Sequence, residues 1–335
     1  MTALPLKRLD DVAALDLPGF DTGAASAAEA RQMTLTKPPA SLGRLEDIAA
    51  FMAGWRGMAQ PRIDKAQALV FAGNHGICAR GVNPFPQEVT AQMVANFKAG
   101  GAAINQLCRV SGADLEVVAL DLDRPTADFT TGPAMTEAET LEAMATGAAA
   151  VDTGADILLL GEMGIGNSTV AAALALSAFG ADAQGWVGRG TGSDADGMSL
   201  KARVISEGAA LHGGLSAMGK LAALGGREQA AICGAVLAAR MARIPVMLDG
   251  FICTASVAPL FAARPEALDH CLIAHRSAEP GHRQLAEKMG KRPLLDLGMA
   301  LGEGSGAALA LSVVRGALAC HNGMATFAEA GVAGA

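Results

Sequence analysis

The segment Ile157-Leu158-Leu159-Leu160-Gly161-Glu162-Met163-Gly164-Ile165-Gly166-Asn167-Ser168-Thr169 passes from a short apolar run into a polar, glycine-rich turn, and an Ala-rich stretch to Phe179 follows. Four consecutive aliphatic residues are what a strand buried on both faces requires, and the stretch after the turn has helical composition. The same succession recurs along the chain. Ala66-Gln67-Ala68-Leu69-Val70-Phe71-Ala72 ends in Gly73, and Leu115–Leu120, Pro245–Leu248 and Cys271–Ala274 are further strand candidates. Helix candidates run from Val89 to Cys108, Ser168 to Phe179 and Gln229 to Arg240. Strand followed by helix, repeated, predicts an α/β fold: a parallel, Rossmann-like sheet flanked by helices on both faces. The first 60 residues and the last 35 lack strand signals and read as helices. The expected division is a large α/β domain over 60–298 and a small helical domain formed by both termini, 1–59 with 299–335.

Composition narrows the class. The 335 residues are 51% hydrophobic, 18% charged and 4% aromatic, without tyrosine. That excludes disorder, and the 41 glycines lack the strict third-residue period of collagen. The core must be built from small and aliphatic side chains. A net charge of −7 argues against a nucleic-acid partner, which would call for a basic face. The apolar stretch Ala307–Val314 ends at Arg315, well short of a membrane span, and Met1–Arg8 lacks the apolar core of a signal peptide. The expected location is the cytoplasm, with no membrane partner. Six cysteines, at 78, 108, 233, 253, 271 and 320, form no CxxC pair and read as buried thiols in a reducing compartment. No metal site is expected.

In open α/β sheets ligands bind at the carboxyl ends of the strands, and here those ends run into polar loops. Ala72 is followed by Gly73-Asn74-His75-Gly76, Trp186-Val187 (read as another strand end) by Gly188-Arg189-Gly190-Thr191-Gly192, and Leu248 by Asp249-Gly250-Phe251. Gly164-Ile165-Gly166-Asn167-Ser168-Thr169 has the makings of an anion site: glycines admit close approach, and free N–H groups at a helix start favour phosphate. An ordinary capped strand–turn–helix would read the same way. Lys201 is either a second phosphate contact or a solvated helix lysine, and Gly225-Gly226 is either a further anion site or a plain helix break. The segment from Gly214 to Lys220 lacks the Ser or Thr of a Walker loop and is set aside. In Leu301-Gly302-Glu303-Gly304-Ser305-Gly306 the carboxylate between glycines has little shielding. It is either a general base with a raised pKa or a solvent-facing turn residue. His75 and His282 are candidates for positioning or proton transfer, with structural roles as the alternative.

Taken together and in order, these segments resemble the nicotinate-nucleotide–dimethylbenzimidazole phosphoribosyltransferase family. The resemblance rests on Lys37-Pro38-Pro39-Ala40-Ser41-Leu42-Gly43-Arg44-Leu45-Glu46, His75-Gly76, Gly161 to Asn167, Leu248-Asp249-Gly250-Phe251, Ser277-Ala278-Glu279-Pro280-Gly281-His282 and Leu301 to Gly306. It spans residues 35 to 315. It implies transfer of the phosphoribosyl group of nicotinate mononucleotide to 5,6-dimethylbenzimidazole, giving nicotinate and α-ribazole 5′-phosphate for cobalamin biosynthesis. It also implies a homodimer, a large parallel α/β domain with a small helical domain from both ends, and no cofactor. Glu303 would be the general base in an inverting attack at C1′, with Glu162 near the ribose or acting as an auxiliary carboxylate. Gly164, Gly166, Asn167, Ser168, Lys201, Gly190 and Gly225 would hold the nucleotide phosphate. Phe85, Met93, Met163 and Leu301 would line the base pocket. Asn74 stands where many members have Asp, Ala300 where Arg is common, and Phe85 and Met93 replace polar residues of some members, so base preference can differ. The competing readings are a nucleoside phosphorylase or hydrolase built on the same loops, and a nucleotide-binding sensor.

Overall fold

A computed structural model describes residues 4–190 and 192–333; Thr191 of the quoted glycine loop lies outside the described residues. Five parallel strands form one sheet: β1 (Ala66–Ala72), β2 (Ala113–Ala119), β3 (Ile157–Met163), β4 (Val246–Leu248) and β5 (Cys271–Ile273). Their order is β2-β1-β3-β4-β5. Ala72 pairs with both Ala119 and Met163, and Leu248 pairs with Leu160 and Ile273, so the carboxyl ends share one edge. Strand order reverses between β1 and β3, which makes the space outside those two ends the topological switch point.

Side chains alternate across the sheet with the period of two that strands impose. Leu69, Phe71, Leu158 and Leu160 enter one core, with the helices Glu137–Ala150, Asn167–Phe179 and Arg227–Met241 over them. Ala66, Ala68, Val70, Ile157 and Leu159 enter the other. That second face is covered by Ala103–Ser111 together with helices from the two ends of the chain, Arg44–Arg56 and Ser305–Gly323. Leu35 and Thr326 also form an antiparallel bridge. The two ends thus meet each other while packing on the sheet.

With few aromatic residues, close packing comes from small ones. A Cβ on Gly147 would stand 1.9 Å from the Ala231 carbonyl, and one on Gly234 would stand 1.9 Å from the Met144 carbonyl. The Glu137–Ala150 and Arg227–Met241 helices therefore touch backbone to backbone, which accounts for part of the glycine surplus.

Three expectations need correction. The expected single helix from Val89 to Cys108 is two, Glu88–Ala99 and Ala103–Ser111. The chain turns at Gly100, whose φ of +81° ends the first helix in the left-handed conformation. Trp186-Val187 is no strand end: it follows a short 3-10 turn, and Trp186 is buried beside Phe179 with Nε1 donating to the Gly180 carbonyl at 2.8 Å. β2 begins two residues before the expected Leu115. Among the described residues no helix is long and apolar enough to cross a membrane.

Candidate active site

A cavity of about 850 Å³ opens outside the carboxyl ends of β3, β4 and β5. The turn after β3, Arg189, Gly190 and Gly192, the Asp249–Ile252 segment, His275, Ser277–Pro280 and the Ala300–Glu303 turn all line it. It brings together Glu303, Glu162, Gly164, Gly166, Asn167, Ser168, Gly190, Lys201, Phe85, Met93, Met163 and Leu301. Gly225, His75 and His282 are not among its lining residues.

One end of the cavity is built for an anion. The Asn167–Phe179 helix starts from Gly166 at φ +90° with no side chain capping it; Asn167 and Thr169 N–H donate to the Gly164 and Gly166 carbonyls, which leaves the Ser168 N–H of the first turn for a ligand. Lys201, only 3% exposed, places Nζ 3.3 Å from the Gly188 carbonyl and 3.5 Å from Ser168 Oγ. Burial lowers its pKa, while the nearby Glu279 carboxylate opposes that shift. Glu279 also accepts the Gly190 N–H at 3.0 Å, tying the loop to the segment after β5.

The other end is acidic. Glu162, the penultimate residue of β3, is buried, and its Oε2 accepts a hydrogen bond from Asn167 Nδ2. Burial, then the charge of Asp249, push its pKa up to about 8. Asp249, just past β4, is pushed up to about 7 by burial, against backbone N–H bonds that favour its ionised form. Glu303 is 8% exposed, and burial raises its pKa also. Each of the three acids disfavours the ionised form of the others, because each charge raises the cost of the next.

The turn bearing Glu303 is unusual in its backbone. Gly302, Glu303 and Gly304 have φ of +82°, +63° and +80°. For glutamate that conformation costs about 1–2 kcal/mol, and such strain is concentrated at functional sites. The turn lies directly on β3: a Cβ at Gly161 would meet Gly304 N at 2.5 Å and the Glu303 carbonyl carbon at 2.7 Å. Only glycine lets the strand and the turn approach so closely.

Apolar residues form the mouth. Phe85 and Leu301 are 47% and 56% exposed, and Met93 and Met163 are half-buried. A flat hydrophobic ligand would cover all four.

The remaining expected residues stand outside. Gly225 ends the Ala217–Leu224 helix, its N–H donating to the Leu221 carbonyl at 2.9 Å. His75 is fully buried, with Nε2 2.7 Å from Glu228 Oε1. His282 is buried; Nδ1 accepts the Ser277 N–H at 2.8 Å, and Nε2 lies 3.3 Å from Thr254 Oγ1. Burial pushes its pKa down to about 3, which favours the neutral ring.

Two residues of the site were not assigned a role from the sequence. Asp249 stood out only as part of a loop, and His275 follows β5 without a motif of its own. The signal for both was their position: each is the first or second polar residue after an apolar run. His275 Nε2 is 3.7 Å from Asp249 Oδ1, and burial lowers its pKa. Among the described residues no group of three or more His, Cys, Asp or Glu side chains is arranged to hold a metal ion.

A family model described as Phosphoribosyltransferase matches residues 17–332. The chain belongs to this phosphoribosyltransferase family. A nicotinate-nucleotide–dimethylbenzimidazole phosphoribosyltransferase from Rhodobacter capsulatus is 65% identical over 316 residues, covering 94% of this chain and 95% of that one. A relative of the same name from Novosphingobium aromaticivorans is 60% identical, covering 95% and 94%. The crystal structure of the Thermus thermophilus protein of that name has a TM-score of 0.88 at 38% identity and covers 94% of this chain and all of the other. The parallel sheet flanked by helices is thus the phosphoribosyltransferase fold of this family.

Proposed function

We propose that this phosphoribosyltransferase moves the phosphoribosyl group of nicotinate mononucleotide to 5,6-dimethylbenzimidazole, releasing nicotinate and forming α-ribazole 5′-phosphate. The observation that carries the reading is one cavity lined by the buried Lys201 beside a helix N-terminus, by the carboxylates Glu162, Asp249 and Glu303, and by four apolar side chains at its mouth. The phosphate suits the first, the cationic pyridinium and ribose the second, and a flat aromatic base the third. The names of the full-length relatives support the same substrates.

The chemistry balances with one base. A benzimidazole ring nitrogen attacks C1′ while the C1′–N bond to the pyridinium breaks, its electron pair leaving with nicotinate, which needs no proton. The attacking ring loses its N–H proton to Glu303. Burial raises the basicity of that carboxylate toward what a general base needs. Attack opposite the leaving group inverts C1′ from β to α. Glu162 faces the ribose; the cationic substrate favours its ionised form, which then offsets the positive charge that develops there. Phe85, Met93, Met163 and Leu301 hold the base, and the protein acts as a homodimer.

Product analysis tests the reading. Nicotinate release from nicotinate mononucleotide should depend on dimethylbenzimidazole; release without it indicates a hydrolase, and binding without turnover a sensor. Glu303→Gln should lose most turnover while still binding both substrates, and near-normal turnover would remove Glu303 as the base.

A further inference from the structure

We propose that Asp249 is a positioning residue for Glu303: its carboxylate, delivered by the end of β4, caps the Ser305–Gly323 helix and fixes the turn that carries the base. The proposal rests on the reading of Glu303 as that base. The Ser305–Gly323 helix has no cap from its own first residues, since Gly304 occupies the N-cap position. Asp249 supplies one from elsewhere in the chain. Its Oδ1 accepts the Ala307 N–H at 2.9 Å and its Oδ2 accepts the Gly304 N–H at 3.2 Å. A buried carboxylate on helix N–H groups is a strong, charge-assisted arrangement.

The turn needs such a hold. Three successive left-handed residues, one of them glutamate, would relax if released. Gly161 limits them from the strand side, and Asp249 binds them from the helix side. Between these two supports the Glu303 backbone has one position. The groups facing Asp249 are Glu162 from β3, Glu303 from the turn, His275 after β5 and Cys253 from the Phe251–Ser256 helix, with Glu228 beyond Glu162. None supplies a positive charge: burial favours the neutral form of His275, whose ring nitrogens have no hydrogen-bond partner among the described residues. The backbone N–H groups are therefore the main compensation for the Asp249 charge, and the same charge repels Glu162 and Glu303.

Asp249→Asn, close in shape, separates positioning from plain stability. Turnover should fall tenfold or more, while KM for nicotinate mononucleotide changes by less than about threefold, because a displaced base spoils the reaction geometry and leaves the phosphate contacts intact. The ascending limb of the kcat–pH profile should move down by about one pH unit, since a negative charge facing both glutamates is gone. A merely structural Asp249 would lower Tm while leaving kcat near the wild-type value, and that result overturns the proposal. Amide hydrogen exchange of the wild-type protein covers the case in which the variant does not fold. Gly304 and Ala307 should exchange slowly, and exchange at the rate of an open turn refutes the cap. Glu303→Gln is assayed alongside. If it is inactive while Asp249→Asn keeps wild-type kcat and pH profile, the positioning role fails and the base survives. If it is active, the base reading fails and takes the proposal with it.

Discussion

Gly161→Ala tests whether the position of the Glu303 turn limits the reaction. The added Cβ would stand 2.5 Å from Gly304 N, where ordinary contact begins at 3.4 Å, so about 0.9 Å of separation must be found. Glu303 C and Gly304 Cα, each at 2.7 Å, block the same direction, and all three are backbone atoms. No rotamer change relieves the overlap. β3 is held by β1 on one side and β4 on the other, so the turn is the part that yields. A displacement near 1 Å at a catalytic group costs about 100-fold in rate, or about 2.7 kcal/mol in the barrier. Overpacking adds about 1–3 kcal/mol of destabilisation. The assay is nicotinate release at saturating substrates, with a thermal melt on the same preparation and binding of nicotinate mononucleotide by calorimetry. The expected result is a folded protein with near-normal nucleotide affinity and kcat reduced about 100-fold. Wild-type kcat in a folded Gly161→Ala variant would refute the argument that the contact between strand and turn places the base.

Three further outcomes follow from other parts of the structure. Lys201→Ala should raise the nucleotide KM about tenfold or more with a smaller effect on kcat, since it removes a charge-assisted phosphate contact; an unchanged KM in steady-state assays would exclude Lys201 from the phosphate site. Gly234→Ala forces a methyl against the Met144 carbonyl at 1.9 Å, so urea unfolding should show a loss of about 1–3 kcal/mol; a loss below about 0.5 kcal/mol would mean the helix pair separates freely. Glu162 is pushed up to about 8 in the folded protein from an ordinary 4.5, so the folded state keeps a proton that the unfolded chain releases. Stability from this group is therefore fully present below about pH 4.5 and is lost as pH rises to about 8; Glu162→Gln should flatten the decline of Tm between about pH 4.5 and 8, and an unchanged slope would contradict the buried charge.

How far the sequence could be read followed from burial. β1 and β3 are covered on both faces, so apart from Gln67 and Glu162 their residues are apolar or glycine and their start is plain in the chain. β2 lies at the sheet edge, where Asp114 and Glu116 are exposed between half-buried neighbours, so its first residues do not look like a strand. Trp186-Val187 misleads because two buried apolar residues carry no periodicity. The loops after β3, β4 and β5 are legible because each follows an apolar run on the shared edge, whereas the Gly190 loop and the Glu303 turn follow no strand. Gly225 is not separable from them: a glycine pair ahead of a helix has one composition and several uses, and here Gly226 instead makes room for His75 and Glu228. The role of Asp249 is beyond reach for a different reason. Its partner N–H at Ala307 is 58 residues away, and a backbone donor leaves no mark in a sequence.

The acidic end of the cavity makes physical sense only with its substrate. Burying Glu162, Asp249 and Glu303 together works against folding, as their raised pKa values record. In the proposed reaction the ligand arrives as a pyridinium, and its charge compensates theirs. As the C1′–N bond stretches, positive charge leaves the pyridine ring for the ribose, nearer to Glu162 on this reading. The carboxylates then gain more from the transition state than from the ground state, which is the condition for electrostatic catalysis. The phosphate end works differently: Lys201 and the helix N-terminus meet the same charge before, during and after the transfer, so they contribute to binding. One cavity thus separates holding the nucleotide from breaking it, with a cationic grip on the part that stays constant and an acidic floor under the part that changes.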